Sequence, residues 1–251
     1  MYKKINGKGG FMTETKWTIE NYEAFYKELL ELQDDKYRLF QEKLLRTSLP
    51  VIGIRTPLLR QKAKEVAKVA GRNFFDTCGK DTYEERMLYG AVATEIPMEF
   101  EEFLGYCDTF SYKFVENWAH CDGFCVSLKK IARKNEEALF AHAKGYLLAE
   151  NPWVVRVGLI IMLNYYLKEP YLQEVLQLVD AVTSDFYYIE MAQAWLLATA
   201  WAKNPEMVRQ YLGDTKLSFS VKAKFVQKAC ESFRVSPEDK AWLREWKKAQ
   251  V

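Results

Sequence analysis

The stretch Asn151-Pro152-Trp153-Val154-Val155-Arg156-Val157-Gly158-Leu159-Ile160-Ile161-Met162-Leu163-Asn164-Tyr165-Tyr166-Leu167 decides the fold. Its opening is a helix start: the asparagine side chain caps a free backbone N–H, and proline at the first helical position loses nothing by lacking its own. The residues that follow are apolar around most of the helix girth, interrupted by Arg156 and Asn164. The run from Val154 to Tyr166 is too short to span a bilayer. An apolar helix of this kind needs neighbours on both sides, as in a stack of helices. Ile189 to Trp201 has the same character.

The cap-then-proline start recurs as Thr56-Pro57, Asn204-Pro205 and Ser236-Pro237. Helical periodicity covers almost the whole chain, and no alternating strand pattern interrupts it. The pattern predicts helices over 19–33, 36–46, 56–70, 82–95, 98–107, 122–134, 136–149, 152–167, 171–182, 186–202, 205–212, 219–233 and 237–249. Short connections between helices of three to four turns imply antiparallel pairs. The segment 152–156 with its apolar continuation resembles the second helix of a HEAT-type repeat. The fold expected is therefore all-α: a HEAT-like solenoid of stacked antiparallel helix pairs, curved, with a concave groove lined by one helix from each pair. One repeat domain is expected over 16–251, preceded by a disordered lead-in at 1–15 rich in glycine and lysine.

Composition agrees with that plan. Of 251 residues, 49% are apolar and 15% aromatic, enough for a large core without metals or disulfides. The net charge of +2 neither demands nor excludes a polyanionic partner, because the placement of charge decides that. Cys78, Cys107, Cys121, Cys125 and Cys230 are odd in number and irregular in spacing, which reads as reduced thiols in a cytoplasmic protein. Met1 to Gly10 carries basic residues with no apolar run behind them, so no secretory signal is expected.

The chemistry-bearing residues are few. In Trp118-Ala119-His120-Cys121-Asp122-Gly123, Trp118 and Asp122 are four apart and share a face if the segment is helical. Asp122 can be the N-cap of the helix it precedes, or a working carboxylate. Arg156, inside an apolar helix, can pair with a buried carboxylate of a neighbouring repeat or project toward an anion. Trp195 can be core or a groove residue. Arg60, Lys64 and Lys68 line one helix face opposite Leu59, Ala63, Val66 and Ala70; they are either a solvated face or phosphate contacts. Lys224 and Lys228 form a shorter row of the same kind. His120, Cys121 and Cys125 offer three metal ligands at most, and His142 is the only other histidine, so no metal is expected. No glycine elbow or phosphate loop is present.

Taken in order, these pieces resemble a known family. Gly53-Ile54-Arg55-Thr56-Pro57 with Leu58-Leu59-Arg60 is followed by Trp-x-x-x-Asp at 118–122. Asn-Pro-Trp-x-x-Arg follows at 151–156, then Ala-x-Ala-Trp at 192–195 with Ala202-Lys203-Asn204-Pro205 beyond. The arrangement, from about residue 19 to 235, resembles the AlkD family of DNA alkylation repair enzymes. The resemblance implies a HEAT-like fold and a monofunctional DNA glycosylase that releases N3- and N7-alkylated purines from duplex DNA in base excision repair, without cofactor or metal; a curved solenoid with polar terminal helices can be a monomer, which is the state expected. It places the catalytic carboxylate at Asp122, the sugar-contacting tryptophans at Trp118 and Trp195, and the arginine that holds the DNA backbone at Arg156. The turn after Trp195 reads Leu196-Leu197-Ala198-Thr199 and lacks a basic residue, while Glu190 adds negative charge nearby.

A rival reading is a non-catalytic helical scaffold that binds nucleic acid or a protein in its concave face. Geometry separates the two. The glycosylase needs Trp118, Asp122, Arg156 and Trp195 around a solvent-open groove flanked by positive charge. The scaffold is favoured by Arg156 buried against a carboxylate with Trp195 sealed in the core.

Overall fold

A computed structural model describes residues 17–250; the lead-in expected at 1–15 lies outside them. Among the described residues the structure has fifteen helices and no strand, which bears out the all-helical reading. The chain divides into two compact units, one ending at Tyr106 and one beginning at Cys107.

The first unit contains α1 (Ile19–Leu30), α2 (Asp35–Leu45), α3 (Thr56–Ala70), α4 (Asn73–Thr77), α5 (Tyr83–Glu95) and the start of α6 (Phe100–Lys113). α3 packs on α5. The segment before α3 is tied down by a buried carboxylate. Glu84, 1% exposed, accepts the backbone N–H groups of Ile52, Gly53 and Ile54 at 2.9, 2.8 and 3.2 Å. Three such bonds satisfy both the charge and the otherwise orphaned donors. Gly53 sits at φ +93, and a Cβ there would lie 2.6 Å from Arg38 Cβ and 2.8 Å from the Asp34 carbonyl oxygen. Arg55, not Thr56, occupies the cap position of α3, and no side chain caps it; Thr56 and Pro57 are already helical. The capping role expected of Thr56 is thus absent, because the helix begins at Thr56 itself and Arg55 holds the cap position.

The second unit runs through α7 (Trp118–Ser127), α8 (Lys129–Lys134), α9 (Glu136–Tyr146), α10 (Pro152–Tyr165), α11 (Leu172–Ala181), α12 (Tyr187–Lys203), α13 (Pro205–Tyr211), α14 (Phe219–Glu231) and α15 (Pro237–Lys248). The other three cap-then-proline starts form as read. Asn151 accepts from Trp153 N at 2.9 Å, Asn204 from Met207 N at 3.1 Å, and Ser236 from Asp239 N at 3.0 Å. α10 packs against α7, α9 and α12, and α12 packs against α14, so α7, α10, α12 and α14 lie side by side. Val154, Val157, Leu159, Ile160, Ile161 and Met162 are all buried on α10, the two-sided burial that its apolar girth requires. α9 against α10, α12 against α13 and α14 against α15 make the paired pattern of a helical repeat.

One helix boundary matters for the site. The helix expected over 122–134 is two helices, and the first begins at Trp118. Its cap is Asn117, which accepts from His120 N at 2.9 Å. Asp122 is therefore not an N-cap; it lies one turn inside α7, on the face of Trp118.

The five cysteines are free thiols, four of them buried. Among the described residues no group of three or more His, Cys, Asp or Glu side chains is placed to hold a metal ion. No described helix is long and apolar enough to cross a membrane.

Candidate active site

Asp122 and Arg156 meet directly. Nη2 of Arg156 donates to both carboxylate oxygens at 2.9 Å, and Nε donates to Oδ1 at 3.2 Å. Nη1 donates to the backbone carbonyl of Tyr188 at 2.6 Å. The contact joins three helices: α7 supplies the carboxylate, α10 the guanidinium, and the first turn of α12 the carbonyl. Arg156 is 4% exposed, whereas the Asp122 side chain is 17% exposed. The guanidinium thus lies underneath and one side of the carboxylate reaches solvent. A bidentate, charge-assisted pair of this kind fixes the carboxylate in place and direction. Burial pushes the Asp122 carboxyl above its ordinary value, against the pull of Arg156.

Tyr188 stands beside the pair and belongs to an aromatic cluster. Trp153 lies 4.9 Å from Tyr188 and 5.2 Å from Phe186, centroid to centroid, and the guanidinium of Arg156 is 6.0 Å from the Tyr188 ring. Trp118 is half-buried in the first turn of α7. Trp195 lies seven residues beyond Tyr188, two helical turns along the same side of α12. It is 38% exposed, the one exposed residue in a run from Ala192 to Trp201 that is otherwise buried. By contrast Trp201 is 1% exposed and belongs to the core.

The separating criterion gives a divided answer. Arg156 is buried against a carboxylate, but that carboxylate is Asp122 itself, and Trp195 is open to solvent. The charge at Glu190 is compensated: Lys224 Nζ lies 2.9 Å from its carboxylate, and the Ser220 hydroxyl donates to it at 2.9 Å. Lys224 also stands 5.9 Å from the ring of Tyr187. A cation therefore reaches this part of α12 from α14, where the local sequence after Trp195 supplies none. Arg60, Lys64 and Lys68 are all exposed on α3, with Leu59, Ala63, Val66 and Ala70 buried opposite them. They belong to the first unit.

Two participants escaped the sequence reading. Tyr188 contributes a backbone carbonyl, which no residue type announces. Lys224 was visible as half of a basic row, but its partner Glu190 is distant in sequence and only packing of α12 on α14 joins them.

Comparison with curated proteins returns no match. A protein-family model described as DNA alkylation repair enzyme matches residues 25–233, a span that includes Trp118, Asp122, Arg156 and Trp195. The chain belongs to the family of DNA alkylation repair enzymes.

Proposed function

We propose that this repair enzyme is a monofunctional DNA glycosylase that releases N3- and N7-alkylated purines from duplex DNA, with Asp122, Trp118 and Trp195 as its catalytic groups. The observation that carries the reading is the Asp122–Arg156 pair, held rigidly with its carboxylate end toward solvent and an exposed tryptophan on the neighbouring helix. An N3- or N7-alkylated purine is cationic and leaves readily. Breaking its glycosidic bond develops positive charge on the deoxyribose. Asp122 stabilises that charge and orients the attacking water, and the indole faces of Trp118 and Trp195 attract it.

Pairing with Arg156 does not cancel this role. The ion pair is a dipole whose buried end is positive and whose outer end is negative, so a sugar on the open side meets the carboxylate first. The carboxyl's raised proton affinity also makes it a better base toward water. For Arg156 the geometry favours aiming the carboxylate over holding the DNA backbone, since its donors are directed at Asp122 and Tyr188. Arg60, Lys64 and Lys68 remain proposed phosphate contacts, as an exposed row of cations. No cofactor or metal enters the scheme, and we propose a cytoplasmic monomer.

The test is release of 7-methylguanine from methylated duplex DNA. The parental protein is expected to release it, a folded Asp122→Asn protein is expected to lose that activity, and a folded Trp195→Ala protein is expected to be slowed. Excision by Asp122→Asn at the parental rate would overturn the mechanism. A parental protein that binds duplex without releasing base would favour the scaffold reading, for which the buried state of Arg156 is the supporting observation.

A further inference from the structure

α14 and α15 border an open groove of about 700 Å³. Its walls carry Lys224 and Gln227 from α14 and Arg244 and Lys247 from α15, with Phe219 and Ser220 at one end. No lining side chain is acidic. Lys224 shares its charge with Glu190. Arg244 and Lys247 are three apart on α15, which puts them on one face, and no ion pair among the described residues engages either. Arg244 and Lys247, with no ion-pair partner among the described residues, leave this wall of the groove positive, and that charge attracts an anion.

The groove also has a direction. α14 packs side by side with α12, the helix that carries Trp195, and Lys224 touches both α12 and the groove. Lys224 thus links the groove to the first turn of α12 at Glu190, five residues before Trp195. Its volume is far larger than one inorganic anion fills, and its cations are spread along it, so the fitting ligand is an extended polyanion. Phe219, half exposed at its edge, offers an apolar face for a deoxyribose.

We propose that this groove holds the sugar–phosphate backbone of the duplex beside the lesion. Arg244 and Lys247 are the main phosphate contacts, and Lys224 is a contact shared with Glu190. The proposal rests on the reading of the chain as an enzyme acting on duplex DNA. Contacts of this kind position the duplex without reading its sequence.

The experiment measures binding of an unmodified duplex by fluorescence anisotropy over a salt series. It compares the parental protein, Arg244→Ala/Lys247→Ala, and Lys248→Ala, which removes charge from the same helix outside the groove lining. Each phosphate contact contributes about 0.9 to the slope of log K against log salt. The double variant is expected to lose about 1.8 in slope, so that a fourfold rise in salt weakens it roughly 12-fold less than the parental protein. Its loss of affinity is expected to be similar for different duplex sequences, and Lys248→Ala is expected to keep the parental slope. An unchanged slope in the double variant overturns the proposal, as does an equal loss in Lys248→Ala or failure of the parental protein to bind duplex. Base release from methylated DNA is scored separately. A lowered slope with no base release in the parental protein retains the groove and rejects the glycosylase.

Discussion

Replacing Asp122 by asparagine separates what the Asp122–Arg156 pair does for the fold from what it does for chemistry. The amide is nearly isosteric and keeps one oxygen for Arg156, but it sets an NH2 group against Nη2, which in the parental protein donates to both carboxylate oxygens at 2.9 Å. It also leaves a guanidinium that is 4% exposed without its counter-charge. Breaking a buried pair by removing one partner costs about 3–5 kcal/mol; retention of one acceptor puts this variant at the low end, about 3 kcal/mol. On the proposed mechanism, loss of charge stabilisation at the reacting sugar costs about 3–4 kcal/mol of barrier, or roughly 100- to 1,000-fold in rate. The two effects separate in the double variant Asp122→Asn/Arg156→Met. There the uncompensated cation is gone, so the combined destabilisation is expected to fall short of the sum of the two single variants by about 1–3 kcal/mol. Full recovery is not expected, because the Tyr188 carbonyl also loses its donor. Excision is expected to stay low in both asparagine proteins. Chemical denaturation gives the stabilities, and single-turnover release of 7-methylguanine gives the rates. The reasoning fails if Asp122→Asn excises at the parental rate, if the double variant regains excision, or if the two substitutions are additive in stability.

Three further expectations follow from the same geometry. On the proposed mechanism the carboxylate is the active form of Asp122, and burial raises its proton affinity, so excision should fall on acidification with a limb above the ordinary aspartate value of about 3.9; a single-turnover pH profile checks this, and a limb at or below that value refutes it. Trp195→Ala removes a side chain already 38% exposed, so thermal stability should change little while excision falls roughly 2- to 30-fold, the range of one cation–π contact; a large drop in melting temperature would place Trp195 in the core instead. Gly53→Ala puts a Cβ 2.6 Å from that of Arg38 at a positive φ, and should cost about 1–3 kcal/mol in a denaturation experiment; an unchanged midpoint would contradict the backbone geometry before α3.

Much of the fold was legible locally. Asn151-Pro152, Asn204-Pro205 and Ser236-Pro237 are helix starts because their chemistry is complete within four residues, and the structure forms all three. The apolar girth of α10 announced burial on both sides, since such a surface has no stable exposed state. Thr56-Pro57 looked the same and was not a cap, because the helix already includes Thr56, while the segment before it is held by a carboxylate at Glu84 that is distant in sequence. The start of α7 was misplaced for a related reason. Asn117 and Asp122 are both good caps in isolation, and which one opens the helix depends on what each side chain meets.

The site shows the same division. The residue types at Trp118, Asp122, Arg156 and Trp195, and the four-residue spacing of the first two, stand in the sequence itself, along with the family resemblance they carry. Their local chemistry left each open between core and working group. Tertiary structure decided that the carboxylate available to Arg156 is Asp122, that Tyr188 completes the guanidinium's bonds, that Glu190 is compensated by Lys224, and that Trp195 alone among its neighbours faces solvent. Periodicity within one helix says which side chains share a face. Which face of the next helix they meet is set by packing between segments far apart along the chain, and the direction of a charge or the openness of a ring follows only from that.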